Sequence, residues 1–128
     1  MKFLVLVLFV FSTPLFTLHA KVIFVTASAK IYSDDILEAK ERVIRNAKLK
    51  AIKKGVEIFL VKNTINKNYE VIKDQIYNFN KNYFSNFEII DQNIDLDQKY
   101  IEIKIKASVA EEKIQQKLEQ LGIIHEKM

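Results

Sequence analysis

The spacing of apolar positions changes several times along this chain, and each change marks a different element. From Phe3 to Phe11 the residues are apolar without interruption, after the positive start Met1-Lys2 and before Ser12-Thr13-Pro14. With Leu18-His19-Ala20 ahead of the charged Lys21, this is the pattern of a secretory signal peptide, and it predicts cleavage after Ala20. An uncleaved anchor is the competing reading, since residues 3–18 together with Val22–Val25 approach the ~20 residues that span a bilayer. Pro14, His19 and Lys21 interrupt that run. The expected mature domain is residues 21–128, placed in the periplasm.

From Lys21 the period becomes two. Ile23, Val25, Ala27, Ala29 and Ile31 alternate with Thr26, Ser28 and Lys30, as in a half-buried strand. The alternation stops at Tyr32-Ser33-Asp34-Asp35, where Ser33 is the expected helix N-cap and the acids suit the positive end of the helix dipole. From there to Val61 the period is helical. Ile36, Ala39, Val43, Ala47 and Ala51 form one stripe, whose small side chains predict close packing on a sheet. Leu49, Ile52, Val56, Phe59 and Leu60 add a second apolar side, which has to be covered by the chain itself or by a partner. The alternative is a break or kink at Gly55, since glycine weakens a helix interior by about 1 kcal/mol.

Residues 62–68 read as a polar connector, Tyr69 to Phe79 as a shorter helix, and residues 80–86 as a turn-prone stretch. Phe87 to Asp95 and Tyr100 to Val109 predict a hairpin turning around Asp97-Gln98. Its second strand alternates Ile101, Ile103, Ile105, Ala107 and Val109 with Glu102, Lys104, Lys106 and Ser108. Glu111 to Leu121 closes as a helix stopped by Gly122, with Ser108 and Glu111 at capping-box spacing. The order β-α-α-β-β-α defines an α+β domain: a small, largely antiparallel three-stranded sheet with a long helix and two shorter helices packed on it.

Composition narrows the chemistry. A chain of 128 residues, 49% hydrophobic, holds one domain and is not disordered. The absence of cysteine excludes disulfides, thiolate metal sites, a Cys nucleophile and a lipoprotein anchor, so the domain has to hold together by core packing. A net charge of +4 is too mild to indicate a nucleic-acid partner.

Asp91, Asn93, Asp95 and Asp97, with Glu102 at the twelfth position, match the spacing of a helix-loop-helix calcium loop. Leu96 stands where that loop needs glycine, and polar alternation along a hairpin produces the same spacing, so no metal is expected. His19 leaves with the export segment, and His125 alone in the C-terminal tail does not build a triad. Asp34, Asp35, Glu38 and Glu41 cluster at a helix start, where their plain role is to complement the dipole. No catalytic residue and no cofactor are expected. Lys48, Lys50, Lys53 and Lys54 form a basic run on the long helix, usually a solvated face and alternatively a site for an envelope polyanion or lipid. Tyr77, Phe79, Tyr83, Phe84 and Phe87 are denser than the end of a small sheet needs, which makes this loop a candidate docking patch.

The stretch Glu38-Ala39-Lys40-Glu41-Arg42-Val43-Ile44-Arg45-Asn46-Ala47-Lys48-Leu49-Lys50-Ala51-Ile52 resembles the helix of the N-terminal domain of the flagellar assembly protein T family, in its recurring alanines and basic residues. Tyr83-Phe84-Ser85-Asn86-Phe87-Glu88-Ile89-Ile90, followed by Tyr100 to Val109, resembles the closing hairpin of the same domain. The resemblance runs from Val25 to Leu121. It implies a periplasmic, non-enzymatic domain of a protein that builds the ring around the flagellar basal body, with related domains in small outer-membrane lipoproteins. The family's middle and C-terminal domains and the lipoprotein cysteine have no counterpart in this sequence.

The expected function is therefore a periplasmic protein-interaction domain, an accessory of flagellar basal-body or cell-envelope assembly. Its expected contact surface is Leu49, Ile52, Val56 and Phe59 on the second side of the long helix, with Tyr83 and Phe84 of the aromatic loop. The partner is a protein of the envelope, or a second copy of the chain; nucleic acid is not expected, and a membrane is met only during export. The alternative is a binding module for an envelope polyanion or lipid through Lys48, Lys50, Lys53 and Lys54.

Overall fold

The computed structural model describes residues 20–124. Strands β1 (Ala20–Lys30) and β2 (Phe84–Asp95) both pair antiparallel with β3 (Tyr100–Ala110), which is therefore central. The alternating residues make this register meaningful. Val25 stands opposite Ile105 and Ala27 opposite Ile103, so the buried positions of both strands share one face. A one-residue slip would turn that whole set to water.

β2 obeys no simple alternation, and its geometry shows why. Its register against β3 shifts between Phe84 and Asn86 and again between Ile89 and Asp91. Each bulge resets the phase of the strand, so Phe84, Phe87 and Ile89, unevenly spaced, all reach the core side opposite Val109, Ala107 and Ile105. The period-two reading starts this strand at Phe87 because the first bulge hides the residues before it. In the turn to β3, Asp95 Oδ1 accepts from the Gln98 N–H at 2.9 Å, and Lys99 takes φ 58°.

Helix α1 (Ile36–Glu57) lies across the core face through Ala39, Val43, Ala47 and Ala51, all fully buried. Its N-cap is Asp35, not Ser33. Ser33 and Asp34 have φ of 52° and 58° and turn the chain, which leaves Asp35 to accept from the Glu38 N–H at 3.1 Å. The helix stops at Glu57, short of Val61, where the N–H groups of Phe59 and Leu60 both return to the Val56 carbonyl. Gly55 neither breaks nor kinks it. The missing side chain instead lets α1 approach Val109 and Ile114, which a Cβ at this position would meet at 3.1 and 2.9 Å.

The polar connector contains a further short helix, α2 (Lys62–Lys67), closed by the Asn68 side chain donating to the Thr64 carbonyl at 2.9 Å. α3 (Tyr69–Gln75) ends at Ile76, whose φ of −120° breaks the helix expected to reach Phe79. A 3₁₀ segment, Tyr77–Tyr83, takes over and packs on α1. α4 (Glu111–Gln120) has Ala110 at its N-cap, since Ser108 is still in β3. At its far end the N–H of Ile123 donates to Leu118 and that of Gly122 to Glu119, both at 3.0 Å, with Gly122 at φ 74°. The domain is thus α+β, with helices over one face of the sheet and the other face bare among the described residues.

Candidate interaction surface

The surface expected on the second side of α1 is largely enclosed by the chain itself. Ile52 and Val56 are 0% exposed and Tyr83 is 5% exposed, while Leu49, Phe59 and Phe84 are half-buried. Ile72 of α3, Ile76 and Tyr77 supply the cover and join the same core. Ile52, Val56 and Tyr83 are therefore core residues, which a partner cannot reach without opening the domain. Tyr83 holds its place by donating its hydroxyl to the Gln75 carbonyl at 3.5 Å, and burial raises its pKa. Of the aromatic loop, Phe79 is the residue that stays outside, at 53% exposed.

The lysine run disperses. Lys48 lies over the Phe87 ring at 4.9 Å, Lys50 donates to the Thr26 carbonyl at 2.6 Å, and Lys53 lies over the Tyr77 ring at 5.6 Å. Only Lys54 stands free in solvent. Residues adjacent in sequence project about 100° apart on a helix, so the run is directed to three parts of the molecule and makes no single basic face.

The acidic cluster at the start of α1 is used locally. Asp35 caps the helix, Glu38 accepts from both Nε and Nη2 of Arg42, and Asp34 meets Lys99 at 3.4 Å. The hydrogen bond from Arg42 holds the Glu38 carboxyl below its usual pKa. Arg42 also lies over the Tyr32 ring at 5.0 Å. The calcium-like spacing maps onto β2 and its turn, with Asp91 opposite Lys104 and Asn93 opposite Glu102. Among the described residues no group of three or more His, Asp or Glu side chains is close enough to hold a metal ion. His19 and His125, and all of the export segment except Ala20, lie outside the described residues.

Two surfaces emerge that the sequence pattern did not mark. The first is the edge of β1. The Ile31 N–H donates toward the hairpin, to Lys99, whereas the Thr26 carbonyl turns outward to Lys50, so even-numbered residues of β1 aim their backbone groups away from β3. Their side chains lie on the bare face of the sheet. There Val22 and Phe24 are 45% and 51% exposed beside polar pairs such as Glu88 opposite Lys106 and Asp91 opposite Lys104, and Tyr100, opposite Lys30, adds an aromatic ring at the far end of the same face.

The second is a groove beside α1, made of two adjoining clefts of 550 and 340 Å³ that share Lys53, Tyr69 and Tyr77. Leu60 and Ile65 extend its floor at one end and Leu49 at the other. Tyr69 and Tyr77 meet edge to face, with ring centroids 6.3 Å apart. Burial, with the nearby Glu57 charge, pushes the Tyr77 phenol up to about 12. These residues come from α1, α2, α3, the 3₁₀ segment and the connector after α1, which is why no spacing in the sequence points to them.

No family model matches the chain, and no curated protein or solved structure does. Among the described residues no helix is long and apolar enough to cross a membrane.

Proposed function

We propose that the chain is a non-enzymatic periplasmic interaction domain, an accessory of flagellar basal-body or cell-envelope assembly, that works by protein contact through β1. The observation that carries this reading is the edge of β1, which has no neighbouring strand among the described residues, beside Val22 and Phe24, two large apolar side chains exposed on the sheet face that no described helix covers. Strand edges with free backbone groups and exposed apolar side chains are templates for an added strand. Lys50 shields the middle of the edge by occupying the Thr26 carbonyl and leaves the end near Val22 and Phe24 open. An extended segment of a partner protein pairs there as a fourth strand. The resemblance to the flagellar assembly protein T domain supports the periplasmic and assembly part of the reading.

Crosslinking and affinity capture from intact periplasm test it. Val22→Lys with Phe24→Lys keeps the circular dichroism of the parent and loses the captured partner. Capture of the same partner by the double variant refutes the β1 edge as the contact.

A further inference from the structure

The groove beside α1 has a chemistry of its own. Arg45, Lys53, Lys62 and Lys73 line it, and among the described residues none of them has a carboxylate within 4 Å; the ion pairs are Arg42–Glu38 and Lys99–Asp34. Glu57 is the single acid along it. Tyr77 is only 5% exposed, lines both clefts, and has no protein group accepting from its hydroxyl among the described residues. Tyr69, 40% exposed, offers a ring face, and the rim adds the primary amides of Asn66, Asn78 and Asn80.

We infer that this groove binds an acidic oligosaccharide. A sugar ring lays its C–H face on an aromatic ring, and here Tyr69 presents one. Its hydroxyls both donate and accept, matching primary amides and the Tyr77 hydroxyl. Its carboxylates need cations that no protein carboxylate already holds, and Lys53, Lys62, Lys73 and Arg45 meet that need among the described residues. The elongated shape suits several linked rings. A peptide fits less well, because no described strand edge opens into the groove to pair with its backbone. An acyl chain fits less well again, since the floor is open and the polar rim runs its whole length. This site does not depend on the β1 contact, and either one can fail without the other.

The test is calorimetric titration of the mature chain with a hexamer of galacturonic acid, followed in parallel by tyrosine fluorescence. Saturable binding is expected that weakens as salt rises and is absent for a neutral glucose hexamer. Lys53→Ala and Tyr69→Ala, each checked for unchanged circular dichroism, weaken it about tenfold, the loss expected from one charge-assisted hydrogen bond or one stacking face. Phe24→Lys, on the far face of the sheet, leaves it unchanged. The inference is overturned by no binding, by full affinity in both groove variants, or by equal or tighter binding of a glutamate hexapeptide or a single-stranded oligonucleotide.

Discussion

A methyl group on Gly55 would stand 2.9 Å from Ile114 Cδ1 and 3.1 Å from Val109 Cγ1, and both neighbours are fully buried. Alanine improves helix propensity by about 1 kcal/mol, but overpacking a closed core costs roughly 1–3 kcal/mol. Gly55→Ala is therefore expected to lower stability by about 1 kcal/mol, read from the denaturant midpoint. Ile114→Val removes the nearer obstacle, so the double variant recovers most of the loss; purely additive losses would place the cost elsewhere. Tyr77 makes a second prediction at this scale. Its folded pKa of about 12 lies above the ordinary value of 10.0, so the folded state holds the phenol proton more tightly than the unfolded chain does. Its contribution is fully present below pH 10 and is lost as pH rises from 10 through 12. Phenolate absorbance in a pH titration should show Tyr77 ionising late, and Tyr77→Phe should remove that late step while leaving the delayed Tyr83.

Helix α1 is apolar on two sides because it has two covers, the sheet on one and the segment from α3 through Tyr83 on the other. Periodicity alone tells that both sides are covered but not by what. That distinction decides what Val56→Asp does. With Val56 fully enclosed, the charge has no water and no partner, so the variant is expected to lose its helical circular dichroism. Leu49→Asp, at a half-buried position, should stay folded. A folded Val56→Asp domain would mean that the second side of α1 opens readily enough to receive a partner. β2 shows the opposite relation between pattern and structure. Its two bulges trade regular alternation for Phe84 and Phe87 on one side, where their rings meet edge to face at 6.3 Å.

At the scale of the molecule, the α+β order, the alternation of β3 and the alanine stripe of α1 were legible, because each depends on a period that one segment carries by itself, whereas the central place of β3 was not, because it depends on pairing with a strand far away in the chain. The short helix at Lys62–Lys67 was not, since Lys62-Asn-Thr-Ile-Asn-Lys has no apolar stripe and its closure depends on Asn68. The candidate surfaces were less legible still. Ile52 and Val56 look like a docking face until the chain returns to cover them, and the groove joins Arg45, Tyr69 and Tyr77 only after three elements meet. The topology also sets an order in time. Among the described residues β1 is the first element, but its one neighbour in the sheet, β3, is the last strand, with Ala20 opposite Ala110. A ribosome or translocation pore that releases the chain from its N-terminus therefore delivers β1 and the apolar stripe of α1 long before the strand that shelters them. Such distant pairing slows folding and lengthens the interval in which a strand can meet another chain. The edge that we assign to partner contact is thus also the part of this domain most exposed to mispairing during biogenesis.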